Sequence, residues 1–331
     1  MMAAARHDLM QRLPKLRGEY TADAPLAPIA WLRVGGPAEI LFRPADGNDL
    51  ADFLAAKPAD VAVTLIGSGS NTLVRDGGIA GVVIRLGAAF RECRVEWRDE
   101  SAHVHVGAGA SDISVARHCR DAGVAGLEFL SGVPGTIGGA LCMNAGAYGR
   151  EMADVTLAAE ALDAAGGRQS LTPRDLGFAY RHSAVPADFI FLSAILEGRR
   201  DEPPAIAERM AAIESNREDS QPIRTRTGGS TFTNPPGEKA WQLIERAGCR
   251  GLRRGGAMVS EKHCNFLINS GGASAADLEG LGEEIRRRVK HETGVTLEWE
   301  IRRVGRHRVG HHAKGQATLA GGGGGGQGGA S

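Results

Sequence analysis

SGVPGTIGGALCMNAGAYG, residues 131–149, is the stretch whose reading decides the fold. Six of its nineteen positions are glycine (132, 135, 138, 139, 146 and 149), and none carries a charge. Glycine accepts left-handed backbone angles and, lacking a Cβ, lets a bound group lie against main-chain N–H donors. A short helix is predicted from Thr136 to Met143, so the loop would present unpaired N–H groups where it turns into that helix, an arrangement that holds a diphosphate. A flexible linker would be polar and repetitive, whereas Val133, Ile137, Leu141 and Met143 supply groups for packing.

Working outward, a second glycine loop is GSGSNTLVRDGG at 67–78, entered from the apolar, β-branched run VAVTLIG at 61–67. Its Gly-x-Gly start suggests a dinucleotide fingerprint, but Thr72 stands where a third glycine is needed, and another strand, Gly81 to Leu86, follows instead of a long helix. A Rossmann unit is therefore not expected. The loop reads as a strand–turn–strand cradle in which Ser68, Ser70 and Asn71 add side-chain donors to the amides of Gly67 and Gly69.

The rest of the chain is mostly short strands, with few helices before about residue 198. Residues 1–20 carry a weak helical pattern ending at Gly18, and AWLRVGGPAEILFRP at 30–44 reads as strand, Gly-Gly turn and strand. Asn48 to Lys57 fits an amphipathic helix, and a second is predicted from Ser111 to about Asp121. RVEWR (94–98), HVHVGAG (103–109), Val155 to Leu162 and Phe189 to Leu196 are strands, with a hairpin turn at Gly166-Gly167. Pro203-Pro204 opens a helix to about Asp219, Lys239 to Ala247 is helical, and Phe266 to Asn269 is a strand. Ser274 with Asp277 forms a capping box for a helix ended by Gly294. VTLEWEIRR at 295–303 is the last predicted strand, its alternation setting Val295, Leu297, Trp299 and Ile301 against Thr296, Glu298, Glu300 and Arg302.

At 331 residues, two or three cores are expected. Apolar content of 42% and charged content of 24% are those of a globular protein, and 39 basic against 39 acidic residues argue against a nucleic-acid or membrane-surface binder. Five scattered cysteines without a Cys-x-x-Cys pair give neither a disulfide framework nor a zinc site. The pair His311-His312 has no third ligand nearby, so no metal is expected. With no signal peptide or apolar span in the sequence, a cytoplasmic protein is expected. The basic, glycine-rich tail from about Gly305 cannot bury a core.

Five stretches in order, GSGSN at 67–71, the glycine run at 131–149, GFAYRHS at 177–183, GGSTFTNP at 228–235 and LEWEIRRVG at 297–305, closely resemble the UDP-N-acetylenolpyruvoylglucosamine reductase (MurB) family over roughly residues 22–305. The resemblance implies an α+β protein: a two-lobed FAD-binding region of the vanillyl-alcohol-oxidase (PCMH) type and a smaller C-terminal α+β substrate domain. On that reading, residues 1–21 are a helical extension, 22–90 and 91–200 the two lobes, 201–304 the substrate domain and 305–331 a disordered tail. The implied reaction is NADPH-dependent reduction of the enolpyruvyl ether of UDP-N-acetylglucosamine by a monomer holding FAD without a covalent link.

What the family motifs imply residue by residue is as follows. Arg181 grips the substrate carboxylate, Ser230 donates a proton, and Glu300, preferred over Glu298 on the same strand face, acts as a neutral hydrogen-bond donor or proton source. Gly67, Ser68, Gly69, Ser70 and Asn71, together with Ser131, Gly132, Pro134, Gly135, Thr136, Gly138, Gly139, Asn144, Ala145 and Gly146, would hold the cofactor. Tyr180, Asn234, Lys262, His263 and Asn265 are substrate candidates, each of which could equally be structural, and Tyr148 either lies against flavin or fills the lobe interface. Ala30 stands where the family commonly has threonine. Only 48 residues separate Arg181 from Ser230, so the chain resembles the shorter branch without an extra tyrosine-bearing loop. Two rivals stay open: an FAD-dependent alcohol oxidase of the same cofactor fold, and a non-catalytic nucleotide-sugar-binding protein.

Overall fold

A computed structural model describes residues 8–308. The first seven residues and most of the expected disordered tail lie outside them.

The first sheet pairs the strand Glu19–Pro25 antiparallel to Pro37–Arg43, which runs parallel to Ile79–Ile84, itself parallel to Val63–Leu65. Tyr20 stacks on Phe42 at 4.6 Å, and Phe42 meets Phe53 of the helix Gly47–Ala56 at 4.8 Å. That helix starts where Asp46 accepts from the N–H groups of Asn48 and Asp49, and it buries Leu50, Phe53 and Leu54. The strand Glu19–Pro25 corrects the sequence reading, which took the helical extension to residue 21 and placed no strand before residue 30; its polar face is solvated, so no run of apolar residues marks it. Residues 30–34, in turn, are turns and not a strand: Arg33 N–H bonds Ala30 O, and Arg33 has φ +56°.

The second sheet is antiparallel throughout its main path, in the order Arg168–Leu171, Thr156–Leu162, Ile190–Arg200, Ser101–Gly107, Cys93–Arg98. Its core gathers Val104, Val115, Ile137, Leu141, Leu196 and Ile206, so the helices Asp112–Asp121, Ile137–Cys142 and Pro203–Ser220 share it.

A third sheet, Thr227–Ser230, Phe266–Asn269, Ala257–Val259 and Arg253–Arg254, packs on the helix Ala275–Thr293. The predicted capping box is present, with Ser274 Oγ accepting from Asp277 N at 3.0 Å and Asp277 accepting from Ser274 N at 3.0 Å. Leu278, Leu281, Ile285 and Val289 form its buried stripe, and Gly294 closes it at φ +76°. The expected strand 295–303 is interrupted: only Arg302–Val304 and one bridge, Trp299 to Phe232, are β-paired. Thr231 O accepts from both Glu300 N (2.9 Å) and Ile301 N (3.4 Å), and two donors converging on one carbonyl break the ladder.

The last strand returns to the first lobe, running parallel to Thr72–Val74. Asp76 accepts from Ala275 N and Ala276 N at 2.9 Å each, and Arg75 makes a two-pronged pair with Glu279 at 2.9 and 2.8 Å. Burial alone would push the Glu279 carboxyl up, but Arg75 and Arg303 outweigh it and hold it below the usual carboxylate range. Arg75→Ala is therefore expected to cost about 2 kcal/mol at neutral pH, because it removes the two-pronged partner of a largely buried carboxylate and leaves Arg303, at 3.2 Å, to offset the burial. A lowered folded-state value means this stability is complete above the ordinary glutamate range and fades as pH falls through the folded value. Denaturant titrations should accordingly show the variant and the parent converging toward acid pH.

Candidate active site

The two glycine loops face one another. A Cβ placed on Gly67 would stand 3.0 Å from Thr136 Oγ1, and one on Gly135 would stand 3.9 Å from Ser70 Oγ. Within the first loop, Ser68 Oγ donates to Ser70 Oγ at 3.0 Å, and Gly69 takes φ +71° with its carbonyl accepting from Trp31 N at 3.0 Å. Asn71 ties the loop to the last segment, its side chain donating to Glu300 O at 3.1 Å and its carbonyl accepting from Arg302 N at 3.1 Å.

In the second loop, Thr136 caps the short helix Ile137–Cys142, and a Cβ on Gly138 would meet Ala108 at 3.1 Å. The helix start is not the free donor array the sequence suggested. Ile137 N bonds Ala110 O at 3.0 Å, Gly138 N bonds Ala108 O at 2.8 Å, and Gly139 N reaches Thr136 Oγ1 at 3.4 Å. The loop before the helix, Pro134 to Thr136, is therefore the part of the cradle that faces Gly67 and Ser70. Ser131 turns its hydroxyl onto Glu128 O at 2.7 Å, and Gly132 is covered by the Tyr148 ring, whose hydroxyl donates to Ile213 O at 3.1 Å. Asn144 is fully buried and joins Ala179 O to Ala153 N, while Ala145 N bonds Ala140 O at 2.8 Å.

Sequence reasoning missed Asp112. Its carboxyl is wholly buried, with no hydrogen-bond partner among the described residues, and Oδ2 lies 2.7 Å from where a Gly135 Cβ would be. Burial pushes this carboxyl well above the usual carboxylate range. An aspartate opening a helix ordinarily reads as a favourable first-turn charge, which hid it.

Beyond the cradle, Ala179 and His182 exchange both backbone bonds, so Tyr180-Arg181 forms the tip of a tight turn with Arg181 at φ +54°. A non-glycine residue held left-handed is a strained position of the kind concentrated at functional sites. Arg181 Nε donates to Glu300 Oε1 at 3.1 Å and Nη2 to Gly146 O at 3.4 Å, which joins the turn to both the glycine run and the last segment. Glu300 N bonds Thr231 O, so Glu300 is paired directly beside Ser230, which ends its strand opposite Phe266 after Gly229 at φ +79°. The Glu300 side chain is 15% exposed against 73% for Glu298. Burial raises the Glu300 carboxyl above its ordinary range, and Arg181 only partly offsets this.

Arg181, Ser230 and Glu300 thus come together. Asn234 Nδ2 donates to Tyr180 OH at 3.3 Å, and its Oδ1 accepts from Ala240 N, so these two side chains extend the same wall. The side chains of the remaining substrate candidates are engaged within the protein, Asn265 next to Ser230 and the other two on the same connection. Asn265 is buried with its amide on both backbone groups of Phe232 (3.0 and 2.8 Å), His263 lies edge-on between Trp241 and Phe266, and Lys262 Nζ donates to Glu218 O. Among the described residues no cluster of His, Cys, Asp and Glu is arranged to hold a metal.

Comparison with known proteins decides the family. Residues 38–172 match the family described as FAD binding domain, and residues 221–304 match the UDP-N-acetylenolpyruvoylglucosamine reductase C-terminal domain. A UDP-N-acetylenolpyruvoylglucosamine reductase from Parvibaculum lavamentivorans is 59% identical over 305 residues, covering 92% of this chain and 97% of its own. The chain belongs to the UDP-N-acetylenolpyruvoylglucosamine reductase family. A second such reductase, from Rhodospirillum rubrum, is 59% identical over 302 residues, covering 90% and 93% of the two chains. The crystal structure of the Thermus caldophilus MurB is similar at a TM-score of 0.74 and 35% identity, over 87% of this chain and 99% of that one. The fold class is thereby that of the reductase family, an FAD-binding region followed by the family's C-terminal domain.

Proposed function

We propose that this protein is a flavoenzyme that uses NADPH to reduce the enolpyruvyl ether of UDP-N-acetylglucosamine, giving UDP-N-acetylmuramate for peptidoglycan precursors. The observation that carries the reading is the contact between Arg181 and Glu300, 119 residues apart in the chain, beside the strand that ends in Ser230. Family membership supplies the substrate class. Separate cores behind the three sheets support two lobes and a substrate domain, but Ile206 and Met210 of the helix Pro203–Ser220 lie in the second lobe's core, so the boundary expected at 201 is better drawn after that helix.

The cradle fits FAD on its own chemistry: two apposed glycine loops where a Cβ at Gly67 or Gly135 would crowd the other side, and a buried carboxyl at Asp112 without a hydrogen-bond partner beside them. Gly67 to Asn71 and Pro134 to Thr136 would hold it, while Ser131, Gly132, Gly138, Gly139, Asn144 and Ala145 shape the loop through their bonds and packing within the protein. When bound, FAD would supply the hydride chemistry that links NADPH to C3 of the enolpyruvyl group. Hydride addition at C3 builds negative charge at C2 and on the adjoining carboxylate. The Arg181 guanidinium uses two of its five N–H donors on Glu300 and Gly146, which leaves others for that carboxylate. Ser230 Oγ–H delivers the proton to C2, and Glu300, its carboxyl raised by burial, donates a hydrogen bond or resupplies the proton. The protein is read as a cytoplasmic monomer; among the described residues no helix is long and apolar enough to cross a membrane.

The test is anaerobic: NADPH should bleach a yellow protein, and the enolpyruvyl UDP-sugar should restore the colour. Oxygen uptake with an alcohol in place of NADPH oxidation, or purification without flavin, would overturn the reading. Gly135→Ala should fold yet purify with little FAD, because its Cβ would fall 2.7 Å from Asp112 Oδ2 and force the cradle open. The ratio of flavin to protein absorbance checks it.

A further inference from the structure

Asp112 opens the helix Asp112–Asp121. An acid at a helix start ordinarily turns back onto the first free N–H groups. Here both carboxyl oxygens lack a hydrogen-bond partner among the described residues, and the residue is 0% exposed. Its Oδ2 fills the space that a side chain at Gly135 would take, 2.7 Å from the Cβ position, and Ser70 Oγ borders the same position at 3.9 Å. Ser70 is itself nearly buried and accepts from Ser68 Oγ at 3.0 Å. The carboxyl therefore sits behind the point where the two glycine loops meet. Backbone pairing fixes it there: Asp112 N donates to Gly135 O at 3.4 Å, Ser111 bridges Thr136, and Ile137 N donates to Ala110 O at 3.0 Å. The segments that close around it, 67–71, 107–111 and 131–137, contain no charged residue, so none of them offers a cation to an ionised carboxylate.

We infer that Asp112 is a positioning residue for the cofactor: its carboxyl keeps its proton in the FAD-loaded protein and donates it across the Gly135–Ser70 contact, and losing that proton loosens the cradle and releases FAD. The inference rests on the reading of the two loops as the diphosphate site. A carboxylate buried without a donor is strongly disfavoured, and a retained proton removes that cost. The direction agrees, since burial alone acts on this carboxyl and raises it. Because Asp112 reaches no solvent, it does not touch FAD; it works through its neighbours. Ser70 Oγ has two lone pairs, enough to accept from both Ser68 and Asp112 once the loops settle on the ligand, which leaves its own O–H for a phosphate oxygen. An ionised Asp112 would instead set a weakly screened negative charge behind a dianion. The sign follows by linkage. Bound FAD favours the protonated form, so affinity is complete below the carboxyl's value in the flavin-free protein and falls as pH rises from there through its value in the loaded one.

The experiment dilutes the FAD-loaded protein into buffers from mildly acid to alkaline pH and reads released flavin by its fluorescence. In the parent, log Kd should be flat on the acid side and then climb with a slope approaching one, about tenfold per pH unit, as one linked proton requires. Asp112→Asn keeps the shape and a donor but cannot ionise, so it should hold FAD at the parent's acid-side affinity across the whole range. Asp112→Ala loses the donor and should bind FAD about tenfold more weakly at every pH. A protonated carboxyl also gives an infrared carbonyl band apart from the amide bands, which should be present in the loaded parent and absent from Asp112→Asn. Parallel pH profiles in the parent and Asp112→Asn, an asparagine variant that loses FAD as the alanine one does, or a loaded parent without the infrared band would each overturn the inference. A parent that holds no flavin at any pH would instead overturn the cofactor site it rests on, an outcome visible before any variant is made.

Discussion

Ser230→Ala is expected to leave flavin reduction by NADPH intact while slowing reoxidation by the enolpyruvyl sugar by roughly 10³-fold, within the range of a lost general acid. The split follows from what Ser230 touches. Its backbone is fixed by pairing with Phe266, and its neighbour Thr231 carries the backbone of Glu300, so alanine at 230 removes a hydroxyl without moving either partner. The first half-reaction needs no proton at the sugar's C2; the second does. The Michaelis constant for the sugar should change little, since in the proposed mechanism Arg181, and not Ser230, grips its carboxylate. Stopped-flow traces of the two half-reactions separate these outcomes. A variant that reoxidised at the parental rate would remove Ser230 from the chemistry and leave Glu300 as the proton source.

Which parts of this could be read in the chain depended on whether a residue's task is local. The capping box Ser274/Asp277, the stop at Gly294 and the strand Phe266–Asn269 are set by neighbours in sequence, and the structure shows all three. The glycine loops were legible because a backbone needing close approach selects glycine wherever it occurs. Glu19–Pro25 was not, since its partner supplies the pairing and half its side chains face water. The break at Glu300–Ile301 was equally hidden, because it depends on a carbonyl at Thr231 that arrives from 69 residues away in the chain. In the site, the convergence of Arg181, Ser230 and Glu300 was carried by the family motifs. Asp112 carried no signal, because a buried acid at a helix start looks ordinary until the fold places it.

Arg181→Ala should be the other severe substitution, and it should fail differently from Ser230→Ala. Losing a preorganised donor to developing negative charge costs about 10²–10³-fold in turnover, and because the same group grips the ground-state carboxylate, the Michaelis constant for the sugar should rise too. The pH profile gives a further signature. In the parent, burial raises the Glu300 carboxyl while Arg181 pulls it back down. With the protonated form of Glu300 as the active one, reoxidation falls as pH rises through that raised value. Deleting the cation removes the lowering influence and leaves burial unopposed, so the alkaline limb must move to higher pH in Arg181→Ala. In Glu300→Gln, which cannot ionise, the limb should vanish. Arg181→Lys keeps the charge but loses the fork that bonds Glu300 and a carboxylate together, so it should hold the limb near its parental place while recovering only part of the rate. A limb that stayed put in Arg181→Ala, or moved toward acid, would show that the contact between Arg181 and Glu300 does not govern the proton that the reaction uses.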